Sequence, residues 1–403
     1  MVFVNMNAKK EDTSLYISAE EAAQALGVAV ATLYAYVSRK QIRSERIPGS
    51  KARRYWKADI DRLCGRDVPV NDGAFEAPVP AQTAITLITE NGLYFRGRSA
   101  IELAGTATLE SLAAHIWDVD EKEIFGRPAP DALSVLTALH APMRQFGLTE
   151  RCLANFPLIE RADPRAYDLS RAGYTRTGAD VLRWFAAFVV RCPTPSAQPI
   201  HQYLAKKLRA PGGFDEIIRT LLVLSADHEF DPITYAVRAT ANVGVTPCQA
   251  VLAGLLAAQG QRFHAERYGS CSRFLQEILN AKEGGDAVVA RLRSGQPLAG
   301  FGAPRSRFDP RTGSMMEAMK QVLSGDRDFK RLLDAQRTGS DVVGAPMDFF
   351  MTALFVGHKL GLAGEEHAIS GVGRIVGWIA HAMEQYLCSE LIRPHAKYVG
   401  PLP

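Results

Sequence analysis

Residues 369–387 read Ile-Ser-Gly-Val-Gly-Arg-Ile-Val-Gly-Trp-Ile-Ala-His-Ala-Met-Glu-Gln-Tyr-Leu, and this stretch organises the rest of the chain. Its apolar residues recur at spacings of three and four: Ile369, Val372, Val376, Ile379, Met383 and Leu387. This period predicts the buried face of one long helix, ending at Leu391-Ile392-Arg393-Pro394. Glycine lowers helix propensity, so we expect a neighbouring backbone or a ligand to approach the helix at Gly371, Gly373 and Gly377.

One carboxylate, Asp348, stands out from the apolar pattern at this end of the chain, as do two arginines, Arg374 in the helix and Arg393 beyond it. A guanidinium keeps its charge and binds carboxylates bidentately, so Arg374 needs an anionic partner. Taken alone, the helix leaves two partners open, an acid of the same protein or a bound anionic ligand.

Further motifs lie upstream and downstream of these residues. They are Ala226-Asp227-His228-Glu229-Phe230, His264, Gly300-Phe301-Gly302 with Asp309-Pro310-Arg311, Asp348-Phe349, Gly371-Val372-Gly373-Arg374 with Gly377-Trp378-Ile379-Ala380-His381, and Leu391-Ile392-Arg393-Pro394 through Tyr398-Val399-Gly400. Their order and approximate spacing resemble those of citrate synthases. The resemblance extends from about Thr83 to the end of the chain.

The resemblance implies a condensation of an acyl-CoA co-substrate with a 2-oxo dicarboxylate such as oxaloacetate, with no bound cofactor and no metal. A thioester methyl proton is very weakly acidic, so the base needs a hydrogen-bond donor at the carbonyl oxygen. By resemblance, Asp348 is the base and His264 is that donor. The oxo acid would be held by His228, Arg311, Arg374 and Arg393.

Two departures from the family pattern affect this chemistry. The family has a second catalytic histidine after the Gly-Phe-Gly motif, where this chain has Ala303, so the ketone loses a hydrogen-bond donor. In the family, two glycines after the first catalytic histidine let the backbone approach the thioester. In this chain, Ala265, Glu266 and Arg267 follow His264 instead. Two hypotheses therefore stay open: an acyltransferase with an atypical site, or a transcription regulator whose body binds a dicarboxylate without turnover.

Three more histidines lie near the site in sequence, namely His358, His367 and His381. A lone histidine on a helix is usually a packed surface residue, which is our interpretation of all three. Replacement of the lost donor by one of them is the alternative.

The N-terminal part has a different composition. Residues 38–57 contain eight basic residues and one acid, although the whole chain carries only +4. Ser18-Ala-Glu-Glu21 predicts a capping box and a helix that ends at Gly27, and a second helix follows. Two extended arms around Pro48-Gly49 and a third helix from Asp59 complete a pattern that resembles the winged helix–turn–helix of the MerR and excisionase group.

This second resemblance implies that the module binds duplex DNA, with its second helix in the major groove and its wing against phosphates. The predicted DNA-binding residues are Arg39, Lys40, Arg43, Lys51, Arg53 and Arg54. The alternative is a helix–turn–helix used for protein contact.

The predicted fold is therefore mainly α, a two-domain citrate synthase-like helical body preceded by a small winged helix–turn–helix. The predicted divisions are a tail at 1–13, the module at 14–66, a linker at 67–83, a large domain at 84–265 with 360–403, and a small domain at 266–359. Asn91-Gly92 predicts a hairpin between residues 84–89 and 93–96, with little other strand. The resemblance implies a homodimer.

Localisation and redox state are predicted from what the sequence lacks. It contains no run of eighteen uncharged apolar residues and no apolar segment near the N-terminus, so we expect a cytoplasmic protein with no membrane contact. The six cysteines have no CxxC spacing and are expected to be buried thiols: Cys64, Cys152, Cys192, Cys248, Cys271 and Cys388.

Overall fold

A computed structural model describes residues 16–38, 42–47, 49–57, 59–60, 82–89, 92–302, 309–388, 392 and 399. The described residues before 61 belong to one compact unit, and residues 82–392 form a second, which we call the body. The predicted division of the body into a large and a small domain stays a prediction.

In its described residues, the N-terminal unit combines two helices with a three-stranded antiparallel sheet in the order β1-β3-β2. Its elements are β1 Tyr16–Ile17, α1 Ala19–Leu26, α2 Val30–Ser38, β2 Ser44–Arg46 and β3 Arg53–Trp56. The predicted capping box is present, because Glu21 N donates to Ser18 Oγ (3.2 Å) and Ser18 N donates to the Glu21 carboxylate (2.8 Å). Gly27 ends α1 at φ 65°, as predicted. Most of the predicted third helix lies outside the described residues.

The body is mainly helical, as predicted. It begins with β4 Thr86–Thr89, β5 Gly92–Phe95 and β6 Arg98–Ser99. The first eight helices that follow are α3 Ala100–Thr106, α4 Leu109–Trp117, α5 Glu121–Phe125, α6 Ser134–Met143, α7 Leu148–Ala162, α8 Arg171–Val189, α9 Ile200–Lys207 and α10 Phe214–Leu224. The remaining eight are α11 Pro232–Ala241, α12 Pro247–Ala258, α13 Glu266–Asn280, α14 Gly284–Arg293, α15 Pro310–Leu323, α16 Arg327–Val343, α17 Phe349–Lys359 and α18 Ala368–Leu387. A short 3₁₀ helix, Pro164–Tyr167, precedes α8, and a π-helical turn, Gln261–Ala265, precedes α13.

The predicted hairpin is confirmed with a different turn. Thr89 pairs with Gly92, so Gly92 belongs to β5 and the two connecting residues are Glu90 and Asn91, which lie outside the described residues. The sequence predicts Asn91 and Gly92 at the centre of the turn, which is wrong for Gly92. Strand β6, which pairs with β5 and leads directly into α3, is not predicted from the sequence.

Helix α18 lies in the core of the body, where it packs against α4, α8, α10, α11, α12 and α17. Val372, Val376 and Ile379 are fully buried, as their spacing predicted. Trp117 donates from its indole nitrogen to the Val376 carbonyl (2.9 Å), which anchors α4 to the middle of this helix. The predicted end was too late: α18 stops at Leu387, half of whose side chain is exposed. The apolar period therefore runs past the point where the core ends.

Two of the three glycines in α18 are required by close backbone contacts. A Cβ at Gly373 would lie 2.3 Å from the Leu222 carbonyl oxygen, and one at Gly377 would lie 2.4 Å from that of Ala226. At Gly371 the nearest atoms belong to the Phe185 ring, 3.8 Å away, which is an ordinary contact. The prediction of close approach is thus confirmed at Gly373 and Gly377 and wrong at Gly371.

We predict opposite effects for alanine at two of these positions. Gly373→Ala forces α10 away from α18 and should lower the free energy of unfolding by about 1–3 kcal/mol, as overpacking does. Gly371→Ala adds a methyl group at ordinary contact distance from the Phe185 ring and should raise the free energy of unfolding by up to about 1 kcal/mol through helix propensity. Urea denaturation measures both. Equal effects of the two substitutions would contradict the packing described here.

The prediction that the cysteines are buried thiols is correct for some of them. Cys152, Cys248 and Cys271 are buried, whereas Cys192 is half-buried and Cys388 is exposed, and all five are free thiols. Cys64 lies outside the described residues. Within the described part of the chain, none of the helices is both long and apolar enough to cross a membrane.

Candidate functional site

The loop between α10 and α11 places a fully buried carboxylate, Asp227, beside α18. This carboxylate accepts hydrogen bonds from the Thr86 hydroxyl (2.5 Å) and the Glu229 backbone nitrogen (3.0 Å), and it contacts His381 Nε2 (3.1 Å). Burial alone would raise the pKa of Asp227, but His381, Arg374 and the Thr86 hydroxyl hold that pKa well below its usual range. Asp227 is therefore a buried anion that fixes the loop to α18.

Arg374 is the guanidinium that Asp227 helps to hold. Its Nη1 lies 3.6 Å from Asp227 Oδ1, and its Nη2 donates to Asp231, whose other oxygen caps α11 through Thr234 N (2.7 Å). The side chain of Arg374 is 19% exposed, so part of the guanidinium still faces solvent. Of the two partners that the sequence left open, the described residues supply the intramolecular acid. A ligand role for Arg374 stays a prediction.

Arg311 is positioned at the first turn of α15 by the N-cap residue Asp309. Arg311 donates from Nε (3.0 Å) and Nη2 (2.7 Å) to the Asp309 carboxylate, and its guanidinium lies 4.5 Å from the centroid of the Phe349 ring. The remaining terminal nitrogen lies 3.5 Å from the Leu224 carbonyl oxygen, a long contact. Arg311 is thus held rigidly with one nitrogen weakly engaged.

His228 lies near enough to both arginines to interact with their charges and is neutral at physiological pH. Burial and the positive charges of Arg311 and Arg374 lower the pKa of His228 to about 3. A neutral imidazole has one N–H that donates and one nitrogen that accepts. The structure therefore brings together His228, Arg311 and Arg374, three of the four residues predicted to hold an oxo acid. The fourth, Arg393, lies outside the described residues.

The depressed pKa of His228 predicts a pH dependence of stability. Below its ordinary pKa of about 6.5, the unfolded chain binds a proton at this residue while the folded protein does not until about pH 3. Stability should therefore fall as the pH is lowered from about 6.5 towards 3, by at most about 1.4 kcal/mol per pH unit. His228→Gln should lose less stability than the unmodified protein between pH 6.5 and 4.5. Parallel curves in urea denaturation would contradict this assignment.

Asp348, the predicted base, lies at the N-terminus of α17. Its backbone nitrogen donates to the Gly300 carbonyl oxygen (2.8 Å), beside an isolated bridge between Phe301 and Met347. The Gly-Phe-Gly motif therefore holds Asp348 in place through backbone contacts. Asp348 Oδ1 caps α17 by accepting from Met351 N (2.9 Å), and the residue is 8% exposed.

The other oxygen of this carboxylate is taken by a residue whose role the sequence analysis missed. Arg267 Nη2 lies 2.6 Å from Asp348 Oδ2. From the sequence, Arg267 was interpreted only as an obstacle to acyl-CoA in the segment after His264. The position of Arg267, three residues after His264, could have predicted this contact. An arginine in a site of carboxylates usually pairs with one of them.

Several predictions concern positions that the structure does not describe. Ala303 lies outside the described residues, and for His264 only the backbone is described, within the π-helical turn. The role of His264 as a donor and the absence of a donor at Ala303 therefore stay predictions.

The prediction that His358, His367 and His381 are packed surface residues is wrong for His381. His381 is fully buried and contacts both Asp227 and Arg238 Nη1 (3.3 Å), because the α18 face that carries it packs against α11. His358 and His367 are half-buried, with His358 Nδ1 3.4 Å from Gln276 Nε2 and the His367 ring 4.7 Å from that of Tyr268. Within the described residues, no cluster of three or more His, Cys, Asp or Glu side chains is placed to hold a metal ion.

The fold and this cluster define a helical protein with a buried arginine–aspartate site built around one neutral histidine. The family model for the C-terminal domain of citrate synthase matches residues 149–395, well over half of the chain. The chain therefore belongs to the citrate synthase family.

Relatives with established names agree with this assignment at low identity. The chain is similar to Citrate synthase 2 of Bacillus subtilis, at 29% identity over 46% of this chain and 51% of the relative. It is also similar to the 2-methylcitrate synthase of Shewanella oneidensis, at 23% identity over 80% of this chain and 93% of the relative. The chain thus spans about half of the first relative and nearly all of the second.

Solved structures share the fold. The citrate synthase of Thermotoga maritima matches with a TM-score of 0.65 at 18% identity, covering 82% of this chain and 96% of that one. The Thermoplasma acidophilum enzyme, solved with carboxymethyl coenzyme A and oxaloacetate, matches with a TM-score of 0.63 at 18% identity, covering 81% and 96%. At this identity the likeness shows the fold alone.

Proposed function

We propose that the body binds an oxaloacetate-like 2-oxo dicarboxylate and catalyses citrate synthase-type condensation with an acyl-CoA, at a low rate. The observation that carries the proposal is the grouping of Arg311 and Arg374 around a neutral His228. Two guanidinium groups suit two carboxylates, and a neutral imidazole donates a hydrogen bond to a keto oxygen or carboxylate without adding charge. By family resemblance, Arg393 completes the clamp and CoA thioester is the co-substrate.

The condensation would use the remaining residues in sequence. Asp348 takes a methyl proton from the thioester, and the C–H electron pair forms the enol double bond as His264 donates to the carbonyl oxygen. The enol carbon attacks the ketone carbon, forming a C–C bond as the thioester carbonyl re-forms and the enol O–H returns its proton to His264, and the ketone oxygen takes a proton from solvent. Water then cleaves the thioester and releases CoA as its thiol.

The low rate follows from two features of this chain. Ala303 supplies no hydrogen bond to the ketone oxygen, and loss of such a donor costs about 2.7–4 kcal/mol, or ~10²–10³ in rate. Arg267 pairs with the proposed base. We therefore expect Ala303 to lower the rate of condensation more than the rate of enolisation.

Calorimetry with oxaloacetate and acetyl-CoA separately, followed by turnover in deuterated water, tests this function. We expect oxaloacetate to bind, and methyl hydrogens to exchange faster than free CoA is released. Ala303→His should increase CoA release with little change in oxaloacetate affinity. No binding of any 2-oxo dicarboxylate would refute the proposal, and citrate formation at an ordinary enzymatic rate of ~1–10³ per second would refute the low rate.

The second candidate function is a metabolite-sensing regulator that binds DNA. The contact between Arg267 and Asp348 favours it, because a carboxylate engaged in this way can serve a binding protein without acting as a base. The N-terminal unit would then be a winged helix–turn–helix whose affinity for DNA depends on the bound dicarboxylate. A change in DNA affinity on adding oxaloacetate, without citrate formation, would support this function.

The DNA-binding surface we propose contains fewer residues than the six predicted from the sequence. Arg43 donates to the buried carboxylate of Asp59 (2.9 and 3.0 Å), and Arg54 donates to Glu45 (2.9 Å). Lys51 and Arg53 are exposed, and the described hydrogen bonds of Arg53 are to Ser44, which is neutral. Of the six predicted residues, these two are therefore the described ones best suited to phosphate, with Arg39 and Lys40 outside the described range.

The assembly, the movements and the location of the protein are also proposals. By family resemblance the body is a cytoplasmic homodimer, in which Arg393 reaches the partner subunit's site. Residues 266–359 would close over the ligand and exclude water from the enol.

A further inference from the structure

Arg267, in the first turn of α13, covers the carboxylate that the proposed reaction needs as a base. Its Nη2 lies 2.6 Å from Asp348 Oδ2, and its guanidinium lies 5.1 Å from the centroid of the Phe350 ring. The Asp348 side chain is 8% exposed and that of Arg267 is 38% exposed. The arginine is therefore the solvent-facing member of the pair, and the carboxylate lies beneath it.

Both oxygens of Asp348 are engaged in this arrangement. Oδ1 accepts from Met351 N at 2.9 Å as the cap of α17, and Oδ2 accepts from Arg267. A general base must come within about 2.6–3.2 Å of the atom whose proton it removes. The guanidinium already occupies that distance from Oδ2, so a methyl group cannot approach this oxygen on the same side.

The contact between Arg267 and Asp348 is not needed for the N-terminal cap of α17. Asp348 would cap α17 through Oδ1 without Arg267, and asparagine caps helices about as well as aspartate. Arg267 donates to Asp348, and its side chain also interacts with that of Cys271, four residues further along α13. The Phe350 contact adds the attraction of an aromatic face for a cation, which further favours this position of the guanidinium.

We propose that Arg267 is a specificity-determining residue that restricts the access of acyl thioesters to Asp348 while leaving the dicarboxylate site open. The inference rests on the proposed function, since it assigns the ligand preference of the same site. His228, Arg311 and Arg374 bind the dicarboxylate from other elements, and each arginine of that group has its own acid. Removing Arg267 should therefore admit the thioester and free the base without weakening the dicarboxylate site.

The test compares Arg267→Gln with the unmodified protein in deuterated water containing acetyl-CoA and saturating oxaloacetate. We expect Arg267→Gln to exchange methyl hydrogens at least about tenfold faster, towards the ~10²–10⁴-fold that a general base provides. Calorimetry should show a matching gain in acetyl-CoA affinity. Arg267→Lys keeps a cation beside the carboxylate and should retain most of the block.

Two further variants identify the cause of any gain. Arg273→Gln removes the same charge from the same helix, but Arg273 is exposed and its described hydrogen bond is to Ser270 (3.4 Å), so the exchange rate of this variant should equal that of the unmodified protein. Arg267→Gln combined with Asp348→Asn should lose the gain in exchange. Circular dichroism establishes that each variant is folded.

The outcomes separate this inference from the proposed function. If oxaloacetate binds the unmodified protein but Arg267→Gln gains neither exchange nor acetyl-CoA affinity, Arg267 does not determine specificity and the dicarboxylate site stands. A gain in the Arg273→Gln control, or one that survives Asp348→Asn, likewise overturns the assignment. If oxaloacetate binds none of the proteins, the proposed function itself fails.

Discussion

Changing Lys51 and Arg53 together to glutamate should lower the affinity of the full chain for duplex DNA by about 100-fold at 0.15 M salt. Both side chains are exposed in the segment from β2 to β3, whereas Arg43 and Arg54 are already paired with acids. Phosphate contacts release counterions, so the slope of log affinity against log salt should become less steep by about 2. Fluorescence anisotropy with a labelled duplex over a salt series measures both quantities.

A matched pair of substitutions on the body controls for net charge. Lys282→Glu with Arg293→Glu changes the total charge by the same amount at two exposed positions and should leave DNA affinity unchanged. Deleting residues 1–66 should abolish DNA binding. If the truncated protein retains the DNA, or if the two pairs of substitutions act equally, the N-terminal unit is not the DNA-binding surface.

Arg374→Gln should weaken oxaloacetate binding by about 10- to 100-fold. A hydrogen bond between charged partners contributes about 1.5–3 kcal/mol, and the neutral amide of glutamine cannot replace it. The substitution also leaves Asp227 and Asp231 without their shared cation, so the free energy of unfolding should fall as well. Isothermal titration calorimetry gives the affinity, and urea denaturation gives the stability.

Arg238→Gln is the control for this loss of stability. Arg238 is buried and donates to Glu384 (2.6 Å) and Gln385 (3.1 Å), on the side of His381 away from Asp227. Its substitution should lower stability while oxaloacetate affinity stays within about threefold, because the group removed does not belong to the proposed clamp. If both variants lose affinity equally, the effect comes from weakened packing and Arg374 is not a ligand-binding residue.

The local features of this protein could be predicted from short stretches of sequence. The apolar spacing in residues 369–387 predicted α18 because a helix has a fixed period, and the Ser18–Glu21 capping box needs only neighbours three residues apart. The order of the family motifs predicted the citrate synthase fold, since several separated motifs in the same order are more specific than any single motif.

Errors arose where the deciding contact lies far away in the sequence. The residues next to Gly373 do not predict its contact with the Leu222 carbonyl, and those next to Gly371 do not predict that a Cβ there would make only an ordinary contact with Phe185. The helix ends at Leu387 because the core ends there, although the apolar period continues to it. His381 is buried because α18 faces a carboxylate at position 227, which helix periodicity alone does not reveal.

The sequence by itself therefore determined the mainly helical class, the long helix α18, the family and several charged residues of the site, but not Asp231 or the role of Arg267. Only the tertiary structure decided how those charges are paired: Arg311 with Asp309, Arg374 with Asp231 and Asp227, and Arg267 with Asp348. The reason is physical. A guanidinium in a partly buried site binds whichever carboxylate the fold brings within about 3 Å, and most of these partners are dozens to more than a hundred residues apart along the chain.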